Sequence, residues 1–119
     1  MLRTILKSKV KKLFVSGSSI SYKGSIALPD EIIEAADLKL YEQVHVNNLT
    51  NGNRIITYVI RSNERGKVTV NGAAAKLFAE GDEIHVLSFA QYSDEEVENF
   101  SPQLIITNQD NELVEVVNY

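Results

Sequence analysis

Asn51-Gly52 stands between two β-prone stretches, residues 43–49 and 54–60, and this dipeptide is the strongest short-range signal for a hairpin. In the first stretch Val44, Val46 and Asn48 alternate with His45, Asn47 and Leu49, so the two sets face opposite ways. The second stretch, Arg54-Ile55-Ile56-Thr57-Tyr58-Val59-Ile60, is the richest in β-branched and aromatic residues. Residues 12–16, 25–28, 67–70 and 83–89 read as further strands, and 103–107 with 112–117 as a last hairpin around residues 108–111. Pro29 and Asp30 open one helix with the apolar stripe Ile32, Ile33, Ala35 and Ala36. A second, shorter helix is expected over 73–78. Many short strands with two small helices predict a mainly β protein, a small barrel.

The chain is short enough, at 119 residues, for one domain. It has no cysteine, which excludes disulfides, a thiol nucleophile and cysteine-ligated metals. With His45 and His85 the only histidines, no metal centre is expected. No purely apolar run exceeds three residues, so no membrane span is expected, and Leu13-Phe14-Val15 is too short for a secretory signal. The expected location is the cytoplasm. Charge is uneven: residues 1–12 hold five basic groups and no acid, whereas residues 91–119 hold seven acids and no base. The basic segment reads either as an arm for a polyanion or as a segment that pairs with acids of the fold.

The usual catalytic inventory is thin. His45 and His85 lie in alternating strands and point away from their apolar neighbours, as surface or interface residues would. Asp94, Glu95, Glu96 and Glu98 read as a solvated loop, without the spacing of a calcium site or the fixed separation of a carboxylate pair. Asn71-Gly72-Ala73-Ala74-Ala75 admits two readings, close approach of a ligand to the backbone or tight packing of a small helix. Gly24-Ser25 precedes a strand. A serine hydroxyl can attack the carbonyl before it if the backbone bends into reach, turning the amide into an ester. Elimination from that ester and hydrolysis would leave a pyruvoyl group, an electrophile made from the chain itself.

Several stretches in order resemble the pyruvoyl-dependent aspartate 1-decarboxylases of pantothenate biosynthesis. They are Met1-Leu2-Arg3-Thr4-Ile5-Leu6-Lys7-Ser8-Lys9, Tyr22-Lys23-Gly24-Ser25, Ala35-Ala36-Asp37-Leu38, Asn51-Gly52-Asn53-Arg54, Thr57-Tyr58 and Asn71-Gly72-Ala73-Ala74-Ala75. The resemblance implies a double-psi β-barrel over residues 1–90, with 91–119 as a C-terminal extension of the same domain, an acidic loop plus a β-hairpin. It implies a homotetramer with active sites between subunits. It implies self-cleavage between Gly24 and Ser25, then decarboxylation of L-aspartate to β-alanine and carbon dioxide through a Schiff base to the pyruvoyl group derived from Ser25. In that scheme Arg54 and Lys9 bind substrate carboxylates, and Tyr58 donates a proton after decarboxylation. Thr57 steadies the Gly24 carbonyl and contacts substrate. Asn71, Gly72, Ala73 and Ala74 line the pyruvoyl group and substrate, and Tyr22 lies near the cleavage point. Lys11 stands where many members carry histidine, and some relatives need a helper protein to mature. A stalled proenzyme relative has the same sequence signature. A shorter match, residues 24–46, resembles the swapped-hairpin DNA-binding domain of AbrB-like regulators, in which the basic start would meet DNA phosphates.

Overall fold

Alternation of apolar and polar residues dominates the chain, and the computed structural model, which describes residues 1–19 and 24–119, is built on it. The strands are β1 (Leu2–Phe14), β2 (Gly17–Ser19), β3 (Ser25–Leu28), β4 (Gln43–Asn48), β5 (Arg54–Arg61), β6 (Thr69–Asn71), β7 (Glu83–Ser93), β8 (Gln103–Thr107) and β9 (Leu113–Asn118). They hydrogen-bond in the order β2-β6-β3-β5-β4-β7-β1-β8-β9. Pairs β3/β5, β2/β6 and β1/β8 are parallel and the others antiparallel. Two α-helices, α1 (Asp30–Ala35) and α2 (Asp94–Val97), and a 3-10 turn over Gly72–Leu77 complete the fold. This is the mainly β architecture, a double-psi barrel with short helices, that the resemblance implied. Tyr22 and Lys23 lie outside the described residues.

The expected hairpin is present: β4 and β5 pair antiparallel, with Gly52 at φ +82° in the turn and its N–H donating to the Asn48 carbonyl. A positive φ at that position favours glycine. Val44, Val46 and Asn48 point inward and are buried. Parallel pairing of β3 with β5 needs a crossover, and α1 with β4 supplies it. Helix α1 starts directly after Pro29 and buries Ile32 on the core side. The core joins Val10, Ile26, Val44, Val59, Val70 and Ile84 from six different strands.

The basic first segment is not a free arm. It forms β1, which lies between β7 and β8. Arg3 Nε pairs with Asp94 at 2.5 Å and Lys7 Nζ with Glu42 at 2.8 Å. A strand with partners on both edges is held by its backbone, so a phosphate-binding arm is the wrong picture of this segment. The acidic stretch also differs from expectation. Residues 94–97 wind into α2 because Ser93 and Glu96 form a reciprocal capping box. After it, β8 and β9 form an antiparallel hairpin whose first strand runs parallel to β1, with Ile105 fully buried. Asn111, at φ +58°, accepts from the Phe14 N–H and donates to the carbonyls of Phe14 and Gly66, tying the hairpin turn to the end of β1. Among the described residues no helix is long and apolar enough to cross a membrane.

Candidate functional site

The chemistry of Ser25 depends on where β3 begins. Ser25 is its first residue, only 1% exposed, and faces Asn71 of β6 across an antiparallel pair. Asn71, itself buried, donates its Nδ2 hydrogen to Ser25 Oγ at 3.2 Å. A cross-strand bond of this kind helps to hold the Ser25 side chain in one orientation. Gly24, one residue earlier, is exposed, and a Cβ there would meet no described atom within 4 Å. The peptide bond before Ser25 thus has an anchored hydroxyl on one side and open space on the other.

Immediately after Asn71 the chain turns sharply. Gly72 has φ +78°, a left-handed conformation that glycine adopts without cost, and opens the 3-10 turn. Ala75 is buried under the turn, while Ala74 is half-buried and Ala73 exposed. Of the two readings of this stretch, the structure supports packing at Ala75 and at Ala74, which lies against the core, and leaves Ala73 exposed. The expected helix is a 3-10 turn, too short for a strong end dipole. Asn71 does not cap it, since no side-chain cap bond is made there. An open cleft of about 430 Å³ lies beside Asn71, lined also by Ala27, Ile60, Arg61, Lys67 and Thr69.

Strand β5 carries three more of the expected residues. Its parallel register with β3 matches Ile26 to Val59, so Tyr58 and Ser25, each one residue earlier, occupy equivalent positions on adjacent strands. Both lie on the side opposite Ile26 and Val59, which are fully buried. Thr57 alternates to the other side of β5 and pairs in register with Val44. Among the described residues, no hydrogen bond joins Thr57 to Gly24. Arg54 shares the Tyr58 face, is exposed, and donates from Nε to Asn47 Oδ1 at 2.7 Å.

Lys9 is reached by continuing across the sheet. Asn47 pairs in register with Arg54 on β5 and with His85 on β7, and Lys9 of β1 pairs with Leu87, two residues beyond His85. Arg54, Asn47 and His85 thus form one row over three strands, and Lys9 lies in the neighbouring row on the same face. His85 has its pKa lowered from the ordinary 6.5, first by burial and then by the charges of Lys9 and Lys11, with Glu83 pulling the other way. The lysines are therefore close enough to be felt electrostatically. His45 also points outward, against the Phe89 ring at 4.9 Å between centroids. Sequence reasoning did not single out Asn47 and read His85 as a surface or interface residue. The signal was available, because the Asn51-Gly52 turn sets Asn47 opposite Arg54.

The expected residues therefore fall into two groups. Ser25 and Asn71 form a buried pair, with exposed Gly24 before it and Tyr58 beside it, suited to an acyl shift. Arg54 and Lys9 lie on a cationic face suited to carboxylates. Lys9 and Ser25 are separated in the sheet by β5, β4 and β7. Among the described residues, no three histidine or carboxylate side chains converge as a metal site requires.

Residues 1–114 match a family model described as aspartate decarboxylase. The chain is 44% identical over 117 residues to the aspartate 1-decarboxylase of Polaromonas naphthalenivorans, covering 97% of this chain and 91% of that protein. It is likewise 44% identical over 118 residues to aspartate 1-decarboxylase 1 of Gloeobacter violaceus, covering 98% of this chain and all of that protein. Against the aspartate 1-decarboxylase of Campylobacter jejuni the identity is 36% over 116 residues, covering 98% of this chain and 92% of that protein.

Proposed function

Because the chain belongs to the aspartate decarboxylase family, we propose that it is a carboxy-lyase that removes the α-carboxylate of L-aspartate. The products are β-alanine and carbon dioxide, and the electrophile is a pyruvoyl group made from Ser25. The observation that carries the reading is the anchored hydroxyl: Ser25 Oγ, buried at the start of β3, held by Asn71 and directly following Gly24.

Self-cleavage uses the chain's own atoms. Ser25 Oγ attacks the Gly24 carbonyl carbon, its proton passes to the departing nitrogen, and the amide becomes an ester. Loss of the Ser25 Cα proton expels the Gly24 carboxylate and leaves a dehydroalanine. Water then replaces the nitrogen as ammonia, giving a chain that starts with pyruvoyl at position 25.

The residues around Ser25 fit such a group. A small electrophile in place of Ser25 keeps the Asn71 amide as a donor, and the small residues Gly72, Ala73 and Ala74 follow Asn71 directly. When present, the pyruvoyl carbonyl supplies an electron sink for the pair released as the carboxylate leaves. Arg54 grips a substrate carboxylate with its planar fork, and Lys9 adds a second positive charge. Tyr58 Oη returns a proton to the substrate Cα after carbon dioxide departs. A homotetramer with its sites between subunits is supported by the sheet order, since joining Ser25 to Lys9 is simplest when each comes from a different copy. The location is cytoplasmic, and β-alanine feeds pantothenate biosynthesis.

Intact-mass measurement tests the reading. The expected result is two fragments, residues 1–24 and 25–119, the larger without a free amino group, together with β-alanine formed from L-aspartate. A single uncleaved chain after prolonged incubation, with no β-alanine, overturns it.

A further inference from the structure

The chain has four arginines, and three of them pair with carboxylates: Arg3 with Asp94, Arg61 with Asp30 and Arg65 with Glu112. Arg54 differs. Among the described residues its recorded partner is a neutral amide, the Asn47 side chain, whose Oδ1 accepts from Nε at 2.7 Å. The two residues are register partners on β5 and β4, so the backbone ladder itself sets their approach. Asn47 is half-buried in a strand with neighbours on both edges, with His85 opposite it on β7.

We infer that Asn47 is a positioning residue for substrate binding, one that fixes the direction of the Arg54 guanidinium while leaving its charge unspent. This rests on the reading of Arg54 as the carboxylate-binding residue. A guanidinium offers a carboxylate two bidentate edges, one through Nε and one Nη, the other through both Nη groups. Asn47 occupies Nε, so the free edge is the Nη pair, and substrate is gripped end-on. An uncharged acceptor is the useful choice. It limits the rotamers of a long exposed side chain without offering a carboxylate that substrate would have to displace. The neutral state of His85 on the far side of Asn47, favoured by burial and by Lys9 and Lys11, agrees with a row in which positive charge is reserved for the ligand.

The test compares Asn47→Asp, Asn47→Ala and Arg54→Ala in the cleaved full-length protein, with rates normalised to the cleaved fraction measured by mass. Asn47→Asp is nearly isosteric but turns the acceptor into a carboxylate. It should raise KM for L-aspartate about tenfold, the scale of one charge-assisted hydrogen bond that must be displaced. Asn47→Ala should raise KM about threefold, as expected for loss of one exposed hydrogen bond. In both, kcat should stay within about twofold, because the effect is on binding. A side chain that merely fills space gives the reverse order, with Asp benign and Ala worse, and that order overturns the inference. So does an unchanged KM in both Asn47 variants while Arg54→Ala raises it. If Arg54→Ala also leaves KM unchanged, the assignment of Arg54 fails, and the role of Asn47 falls with it.

Discussion

Ser25 and Arg54 stand on adjacent strands, β3 and β5, in opposite physical settings. Ser25 is enclosed, with its hydroxyl tied to Asn71 across a strand pair. Arg54 is exposed, and a neighbouring amide steers it. The difference suits the two tasks proposed for these residues. An acyl shift within the backbone needs one atom held near one carbonyl, which burial and strand register supply. Gripping a diffusing dicarboxylate needs charge that stays hydrated until the ligand arrives, because a buried unpaired guanidinium would be costly. In the proposed reaction, one group makes the reactive centre and the other recognises the substrate.

Ser25→Ala breaks the first half of this comparison and should have the largest effect. Without the hydroxyl, no 25–119 fragment and no β-alanine should form. The fold should lose about 1–3 kcal/mol, the cost of leaving the buried Asn71 amide without its acceptor. Intact mass and a urea midpoint check both parts, and cleavage that persisted would identify a different nucleophile. Arg54→Ala breaks the second half. It should raise KM for L-aspartate about ten- to hundredfold, the range for a hydrogen-bonded charge contact, while fragments still form. An unchanged KM would move carboxylate recognition elsewhere, with Lys9 and Lys11 the next cations on the same sheet.

How much of this the sequence revealed varies by element. The Asn51-Gly52 hairpin and the strand after Gly24 were readable because turn chemistry and alternation are local. Strand β1 was masked by charge. Its alternation buries Ser8 and Val10 between lysines, but a register shift between Val10 and Leu13, with Lys12 at φ +64°, breaks the period. A bulge inserts a residue and moves later side chains to the other face. Helix α2 was legible in principle from Ser93 and Glu96 at capping-box spacing, but its run of acids read as a loop. The approach of Asn71 to Ser25 was legible only through the family resemblance and not from local pattern, since 46 residues separate them and the pairing of β3 with β6 is a matter of tertiary register.

Asn71→Ala sharpens the first half by asking whether the anchor matters as well as the nucleophile. Self-cleavage should slow about tenfold, corresponding to one hydrogen bond of about 1.4 kcal/mol expressed in the barrier. The time course of the 25–119 fragment measures this. Cleavage at the original rate would show that strand geometry alone aims Ser25.

The smallest expected effect concerns His85, in the row that carries Arg54. Its imidazole is harder to protonate in the folded chain than in the unfolded one, chiefly through burial and secondarily through Lys9 and Lys11, with Glu83 opposing. A depressed folded pKa means the unfolded chain takes up the proton first. The contribution to stability is therefore complete above the ordinary value of 6.5 and is lost as pH falls through it toward the lower folded value. His85→Gln should flatten this part of the acid limb of stability, measured as urea midpoints between pH 7 and about pH 5, the window in which an imidazole titrates. Lys11→Gln should shift the imidazole titration, followed by NMR, part of the way back toward the ordinary value, because the larger cause, burial, is untouched. A titration unmoved by Lys11→Gln and by Lys9→Gln would mean that the lysines point their charge away from His85. The cationic row would then reduce to Arg54 and its amide, and recognition would rest on one guanidinium.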